Sequence, residues 1–199
     1  MAGALLFTWL QDAGFYRDLH KQAVDALPSG ENRTWIDVGC GPGLIARLAA
    51  EKSYAATGID TAPSMIWAAR LLKIWHRSNA HFEVSDLGYL LDKKADVISA
   101  ASLLAVIDDR EDALKTMWES VRPSGHLLII EPTALMNQDN AKRLLETGLP
   151  KKRLSGFKIW AKARENRAID PALFDSITPR SRKSLKLLDG LVEAWIFEK

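Results

Sequence analysis

The sequence contains one cysteine, Cys40, so no disulfide can form within the chain, which points to a reducing compartment such as the cytoplasm. Its four histidines are scattered without the close spacing of metal ligands, so no metal site is predicted. Long apolar runs are also missing, because stretches such as 98–107 fall well short of the roughly 20 residues that cross a bilayer. The N-terminal stretch Met1–Leu10 is apolar, but no basic residue precedes it, so it is a poor match to a signal peptide. We expect a cytoplasmic protein without a transmembrane segment.

The charge of the chain is small overall but unevenly distributed. The formal net charge is +2, yet residues 134–183 carry twelve Lys or Arg and five Asp or Glu, which leaves −5 for the remainder. This stretch, here called the basic segment, also contains Phe157 and Trp160. It can attract an anionic metabolite, RNA or an acidic lipid surface, or it can simply be a solvated helix face. Composition alone leaves these alternatives open.

Apolar runs of strand length alternate with helix-period segments from Thr34 to Glu131, the pattern of a parallel sheet with crossover helices. The predicted strands are Thr34–Val38, Ala55–Ile59, His81–Val84, Asp96–Ala100 and Gly125–Glu131. The predicted helices lie near Leu44–Lys52, Pro63–His76 and Asp109–Val121.

Two flanks complete this organisation. Residues 5–27 have the pattern of one or two amphipathic helices, broken near Gly14. At the other end, Ser184–Leu188 and Leu191–Phe197 are apolar runs joined by Asp189-Gly190, a strong signal for a β-hairpin. We therefore expect the sheet to end in two antiparallel strands, and 199 residues fit one domain.

The most informative stretch is Asp37-Val38-Gly39-Cys40-Gly41-Pro42-Gly43, where an apolar strand runs into three alternating glycines that precede a helix. Glycine permits positive φ and lets a ligand approach the backbone, and the N–H groups that open the helix can bind polar ligand atoms. The stretch resembles motif I of the class I S-adenosylmethionine-dependent methyltransferases, including the acidic residue two positions before the first glycine.

Further matches follow in the order that this family shows. Gly58-Ile59-Asp60 ends the second strand, Ser85-Asp86-Leu87 follows the third, and 95–99 and 121–132 resemble the fourth and fifth strands. The resemblance covers about half the chain. It implies a three-layer, Rossmann-like α/β sandwich with a mostly parallel seven-stranded sheet, S-adenosylmethionine as cofactor and S-adenosylhomocysteine as product. Residues 1–30 would then be a helical flank, 34–132 the cofactor core, 134–183 a substrate lid and 184–198 the hairpin.

The resemblance also assigns cofactor contacts. The glycines would line the methionine half of the cofactor, Asp60 would accept both ribose hydroxyls, and Met65 and Asp86 would contact adenine. The full set of implied contacts is Asp37, Gly39, Cys40, Gly41, Gly43, Asp60, Thr61, Met65, Asp86, Leu87 and Ser102. Simpler interpretations stay open, since Asp60 can be a surface residue, Asp86 a helix cap and Met65 a core residue.

An NAD(P)-dependent dehydrogenase is the main rival within this architecture. Its fingerprint places a third Gly or Ala where this chain has Leu44, which is too bulky for close packing of helix and strand. No Ser/Tyr-x-x-x-Lys pairing follows the fourth strand either. The sequence therefore favours methyl transfer.

Methyl transfer from a sulfonium is an in-line displacement that depends mainly on proximity and orientation, and a general base helps only where the acceptor loses a proton. No catalytic motif is visible, and Leu104-Ala105-Val106 stands where many family members have histidine or an aromatic. Tyr16 and His20 on the N-terminal flank are the candidates for a contact with the substrate or the cofactor.

We expect methyl transfer to a small, anionic or partly apolar molecule. The alternatives are an RNA-modifying enzyme that uses the basic segment and a module that binds the cofactor without turnover. The acceptor atom and the oligomeric state are not predicted.

Overall fold

A computed structural model of the chain describes residues 8–9, 13–31, 33–147 and 154–199. Its centre is a seven-stranded sheet in the order β3-β2-β1-β4-β5-β7-β6. The strands are β1 Thr34–Val38, β2 Ala55–Asp60, β3 His81–Val84, β4 Ala95–Ala101, β5 Val121–Pro132, β6 Ser181–Leu187 and β7 Val192–Glu198. The α-helices are α1 Gly14–Asp25, α2 Leu44–Glu51, α3 Pro63–Trp75, α4 Arg110–Ser120, α5 Gln138–Thr147 and α6 Leu154–Arg164, and 3-10 helices lie at Leu87–Leu90 and Pro171–Ser176.

Strands β1 to β5 are parallel, and β7 pairs antiparallel with both β5 and β6. Successive strand residues enter two separate cores, because side chains alternate between the faces of a strand. Trp35 belongs to the core with α1, α2 and α6, whereas Ile36 belongs to the core with α4. Two layers of helices therefore enclose the sheet, and the predicted three-layer, mostly parallel fold with an antiparallel end is confirmed.

The predicted start of β5 at Gly125 is wrong. The strand begins at Val121, which pairs with Ala95, and the register then shifts before His126 pairs with Val97. Within this irregular stretch Ser124 adopts a left-handed backbone conformation, with φ +62°. Arg122-Pro123-Ser124-Gly125, predicted as a turn before the strand, is thus an irregular stretch inside it.

The terminal hairpin is longer than predicted. It begins at Ser181 rather than Ser184, and its loop consists of residues 188–191, in which Leu188, Asp189 and Gly190 have positive φ (+48°, +55° and +84°). The Gly190 N–H donates to the Leu187 carbonyl across this turn. The Leu191 N–H likewise donates to the Leu188 carbonyl, so the predicted Asp189-Gly190 turn lies at the centre of this four-residue loop. Arg182 and Lys183 give the exposed edge strand β6 the charges that discourage edge pairing.

The N-terminal flank contains α1, which begins at Gly14, where a break was predicted. Residues 1–7 and 10–12, which include most of the predicted first helix, lie outside the described residues. None of the helices in the described part of the chain has the length and apolar character needed to span a bilayer.

Candidate functional site

A cavity of about 550 Å³ opens at the carboxyl ends of β1, β2, β3 and β4. Ligands of open α/β sheets bind at this edge, at the point where the strand order reverses, which here lies between β1 and β4. The volume is within the range of small-molecule sites. The cavity is lined by all the predicted cofactor contacts except Gly43, and by Tyr16 and His20.

The glycine loop shapes the floor of this cavity. Gly39, Gly41 and Gly43 all have positive φ (+63°, +51° and +80°). A Cβ added to Gly41 would meet nothing within 4 Å, so open space lies directly above its backbone. A Cβ at Gly43 would lie 2.3 Å from Phe82 Cε1, and one at Gly39 would lie 2.9 Å from Leu103 Cδ1. Gly43 therefore permits close packing outside the cavity, and Gly41 is the glycine that faces the space for a ligand.

Asp60 ties this loop to the end of β2. Its Oδ2 accepts a hydrogen bond from the Gly41 N–H at 2.9 Å, and its Oδ1 accepts one from the Ala62 N–H at 2.8 Å. Each carboxylate oxygen can accept a further hydrogen bond. The side chain thus fixes the loop and still presents acceptor capacity to the cavity that it lines.

Asp37 lies at the base of the cavity and is 2% exposed. The Ser99 hydroxyl donates to its Oδ1 at 2.7 Å, and the Trp35 indole Nε1 donates in turn to Ser99 Oγ at 2.8 Å. Burial raises the pKa of Asp37 to about 7, against the lowering effect of the Ser99 hydrogen bond. A carboxyl with this pKa is partly protonated near neutral pH, so it can either donate a hydrogen bond to a ligand or accept one.

The remaining predicted contacts have different local settings. Asp86 is exposed and caps the 3-10 helix Leu87–Leu90, with its Oδ1 accepting from the Gly88 N–H at 2.9 Å. It therefore acts as a cap and also lines the cavity. Ser102, just after β4, has φ +53°. Cys40 is buried, and burial raises the pKa of its thiol well above the ordinary value.

Tyr16 and His20 lie one turn apart on α1 and are buried beside the cavity. Their ring centroids are 4.4 Å apart, and the Tyr16 ring also packs edge-on against Trp160 of α6. His20 Nδ1 donates to the Tyr16 carbonyl at 2.7 Å. Because a carbonyl can only accept, this bond fixes the proton on Nδ1 and leaves a lone pair on Nε2. Burial lowers the pKa of His20 to about 4 and raises that of Tyr16 to about 12.

Two charged residues in or beside the cavity were not among the predicted site contacts. Arg164, at the end of α6, lines the cavity. Glu131 is fully buried in β5, and its Oε1 accepts from the Leu104 N–H at 2.8 Å, which holds the loop after β4. Burial raises the pKa of Glu131 to about 8, while the nearby Arg164 charge opposes this rise. An acidic residue directly after the apolar run Leu127–Ile130 was a usable signal for Glu131, whereas Arg164 was hidden among many similar charges.

The basic segment divides into a buried and an exposed part. Phe157 and Trp160 are 0% and 3% exposed and pack against α1. The cations Lys142, Arg143, Lys158, Lys162 and Arg167 are exposed. The remaining predicted lid charges Lys151, Lys152 and Arg153 lie outside the described residues. Among the described residues, no group of three or more His, Cys, Asp or Glu could hold a metal ion.

The strand order, the glycine loop and the acidic residue at the end of β2 together define a class I S-adenosylmethionine-dependent methyltransferase. A family model described as a methyltransferase domain matches residues 8–186, and the chain belongs to this family. The predicted class and its cofactor, S-adenosylmethionine, are thereby confirmed. The open space above Gly41 and the acceptor capacity of Asp60 fit this cofactor.

Curated relatives named ubiquinone biosynthesis O-methyltransferase show local similarity. The protein from Hydrogenovibrio crunogenus is 25% identical over 127 residues, which cover 59% of this chain and 53% of the relative. The one from Idiomarina loihiensis is 27% identical over 134 residues, 62% of this chain and 55% of the relative. The chain thus matches about half the length of these relatives.

Solved structures show the same fold at low sequence identity. The plantazolicin methyltransferase BpumL, in complex with a triazolic desmethylPZN analog and SAH, is 14% identical with a TM-score of 0.67, covering 100% of this chain and 90% of that chain. An O-methyltransferase family protein from Burkholderia thailandensis is 20% identical with a TM-score of 0.64, covering 92% and 55%. At these identities the likeness concerns the fold.

Proposed function

We propose that the chain transfers a methyl group from S-adenosylmethionine to a hydroxyl oxygen of a small, partly apolar molecule that also carries an anionic group. The observation that carries this proposal is the pair His20 and Arg164 in one cavity, with His20 Nδ1 bound to the Tyr16 carbonyl so that Nε2 is the nitrogen left for a ligand. The unprotonated nitrogen of a neutral imidazole can accept a hydrogen bond from a hydroxyl, and a guanidinium can bind a carboxylate or a phosphate.

The cofactor would bind along the glycine loop. Asp60 would accept hydrogen bonds from its ribose hydroxyls, and the backbone at Gly39 and Gly41 would lie against its methionine half. Thr61, Met65, Asp86, Leu87 and Ser102 line the same cavity and would enclose the rest. When bound, S-adenosylmethionine supplies an electrophilic methyl group. The contribution of the protein is then mainly to hold the acceptor in line with that group.

The acceptor would lie between α1 and the loop after β4. Leu103, Val106 and Ile107 give this part of the cavity an apolar wall, and Tyr16, His20 and Arg164 give it polar groups. Tyr16 keeps its proton at neutral pH because burial raises its pKa to about 12. It can therefore donate a hydrogen bond to the acceptor, while His20 Nε2 can accept one from the acceptor hydroxyl and hold its oxygen towards the methyl group. Because burial lowers the pKa of His20 to about 4, the imidazole would pass the proton that is lost on methylation to solvent and not retain it.

An RNA acceptor has less support. The aromatic residues of the basic segment would have to be exposed to stack on bases, yet Phe157 and Trp160 are buried against α1. The names of the curated relatives also concern O-methylation of a small molecule. Both points favour a small acceptor.

Release of S-adenosylhomocysteine with a matched set of acceptors would test the proposal. Hydroxyl compounds that carry a carboxylate should be methylated, their carboxamide analogues should show a raised KM, and the corresponding O-methyl ethers should be inert. His20→Gln should lower kcat at least tenfold and leave S-adenosylhomocysteine affinity unchanged. Methylation of RNA alone would overturn the small-molecule acceptor. Tight cofactor binding with no turnover on hydroxyl compounds, metabolite pools or RNA would instead indicate a non-catalytic binding module.

A further inference from the structure

Helix α3 carries a stripe of large apolar side chains on its outer surface. Trp67, Leu71, Ile74 and Trp75 are 67%, 52%, 75% and 83% exposed. Their spacing of i, i+4, i+7 and i+8 places them on one face of a helix. Single exposed apolar residues are ordinary, but a continuous stripe with two exposed tryptophans marks an interaction surface.

The fold does not need this stripe. The opposite side of α3 supplies the contacts with the sheet, where Ile66, Ala68 and Ala69 are buried. At the start of the helix, Met65 lines the cavity. The helix is therefore already packed on its inner side, and its outer apolar side chains are available to a partner.

The charges around the stripe have one sign. Arg70, Lys73 and Arg77 are the charged residues of the helix and the turn that follows it, and no acidic residue occurs from Thr61 to Phe82. On a helical projection these three positions lie on one side of the stripe. The Arg70 guanidinium donates to the Phe82 carbonyl at 2.8 Å and still leaves the side chain exposed. The surface therefore combines apolar area, indole rings and a cationic border.

We propose that α3 docks on an anionic phospholipid surface, with Trp67, Ile74 and Trp75 in the interfacial region and Lys73 and Arg77 against the headgroups. Tryptophan favours the boundary between headgroups and acyl chains, and a helix with an apolar face and basic flanks lies in the plane of that boundary. A second copy fits less well. Two copies related by a two-fold axis would bring both sets of cations into one interface, without acidic residues on the helix to pair with them.

This proposal is independent of the acceptor, and its test does not require turnover. The whole chain is mixed with vesicles of pure phosphatidylcholine or with vesicles of phosphatidylcholine and phosphatidylglycerol, whose anionic headgroups give the surface a negative potential. Binding is measured by co-sedimentation and by the shift of tryptophan emission. We expect binding to the anionic vesicles with an emission shift to the blue, and weaker binding as salt rises.

Three variants locate the surface. Trp67→Gln with Trp75→Gln should lower the partition coefficient at least tenfold, and Lys73→Glu with Arg77→Glu should remove the preference for anionic vesicles. The matched control, Leu91→Gln with Ile159→Gln, changes exposed apolar residues elsewhere and should bind like the parent. Far-UV circular dichroism checks that each variant is folded. Absence of binding to anionic vesicles, or equal loss in the control, would overturn the proposal. So would a dimer in sedimentation velocity that only the tryptophan variant dissociates.

Discussion

Asp37 and Ser99 lie directly opposite each other in the neighbouring strands β1 and β4, and the Ser99 hydroxyl donates to Asp37 Oδ1 at 2.7 Å. Because Trp35 Nε1 donates to the same hydroxyl oxygen, Ser99 acts as donor and as acceptor at once. This arrangement holds a buried carboxyl at the base of the cavity in one orientation. The hydrogen bond from Ser99 also limits the rise in the pKa of Asp37 that burial causes.

Replacing Ser99 with Ala should destabilise the chain by about 1–3 kcal/mol, because the Trp35 N–H and the Asp37 carboxyl both lose a buried partner. Urea unfolding followed by circular dichroism measures the change. Ser120→Ala is the matched control, since the buried Ser120 hydroxyl donates only to the Leu90 carbonyl. A loss no larger than that of the control would show that the pairing of Ser99 with Asp37 has no special weight.

Asp60→Ala should weaken S-adenosylhomocysteine binding by about 1–3 kcal/mol, since buried ribose hydroxyls would lose a charged acceptor. The far-UV spectrum should hardly change. Isothermal titration calorimetry measures the affinity, and Asp60→Asn should lose less because the amide oxygen can still accept the Gly41 N–H. Wild-type affinity in Asp60→Ala would remove the ribose assignment.

Substitutions at two glycines of the same loop should affect different properties of the protein. Gly41→Val should abolish measurable cofactor binding, since the side chain would enter the open space above the loop. Gly43→Ala should instead lower the melting temperature, because its Cβ would lie 2.3 Å from Phe82 Cε1. Both residues have positive φ, so both substitutions also cost about 1 kcal/mol of backbone strain. Calorimetry and thermal unfolding on both variants separate these effects, and equal losses of binding at equal stability would contradict the assignment.

Local sequence signals were sufficient for the sheet and for most of the cavity lining. The strand Thr34–Val38, the glycine loop and Asp60 are defined by residues close together in the chain, where apolar period and glycine spacing are informative. Gly43 was placed in the cavity because spacing cannot distinguish a glycine that faces a ligand from one that faces Phe82. That distinction depends on a side chain of β3, far away in sequence.

The roles of Glu131 and Arg164 depend on contacts that are even more remote. Glu131 accepts from the Leu104 N–H, 27 residues away, and Arg164 reaches the cavity only because α6 packs on α1. Charge counting in the basic segment gave every cation the same weight. Tertiary packing then placed Arg164 at the cavity and left Lys158 and Lys162 exposed.

The stability of the chain should fall as pH rises towards 8, in part because of Glu131. Burial raises its pKa from the ordinary 4.5 to about 8. Between these values the folded chain retains a proton that the unfolded chain releases, so this stabilisation is complete below pH 4.5 and is lost as pH passes 8. The slope approaches about 1.4 kcal/mol per pH unit at most. Glu131→Gln keeps the acceptor for the Leu104 N–H, and urea unfolding from pH 5 to 8 should show a flatter profile. Parallel profiles would mean that Glu131 does not titrate in this range.

Arg164 should govern the binding of the anionic acceptor, whereas the exposed cations of the same helix should only influence its rate of approach. Arg164→Gln is expected to raise KM for a carboxylate acceptor at least tenfold at all ionic strengths, because the charge acts inside the cavity, where salt screens poorly. For the carboxamide analogue the same variant should change KM little.

Lys158→Ser with Lys162→Ser is the matched control, since both side chains are exposed on α6. This variant should lower kcat/KM modestly, and the loss should vanish at high salt because exposed charges are screened beyond about 8–10 Å at ordinary ionic strength. Affinity for S-adenosylhomocysteine should stay constant in both variants. Equal, salt-dependent losses in the two variants would assign the whole effect to long-range steering, and a parallel loss of cofactor binding and stability would make Arg164 a scaffold residue. Only a salt-resistant loss confined to carboxylate acceptors and to Arg164→Gln places the guanidinium against the acceptor itself.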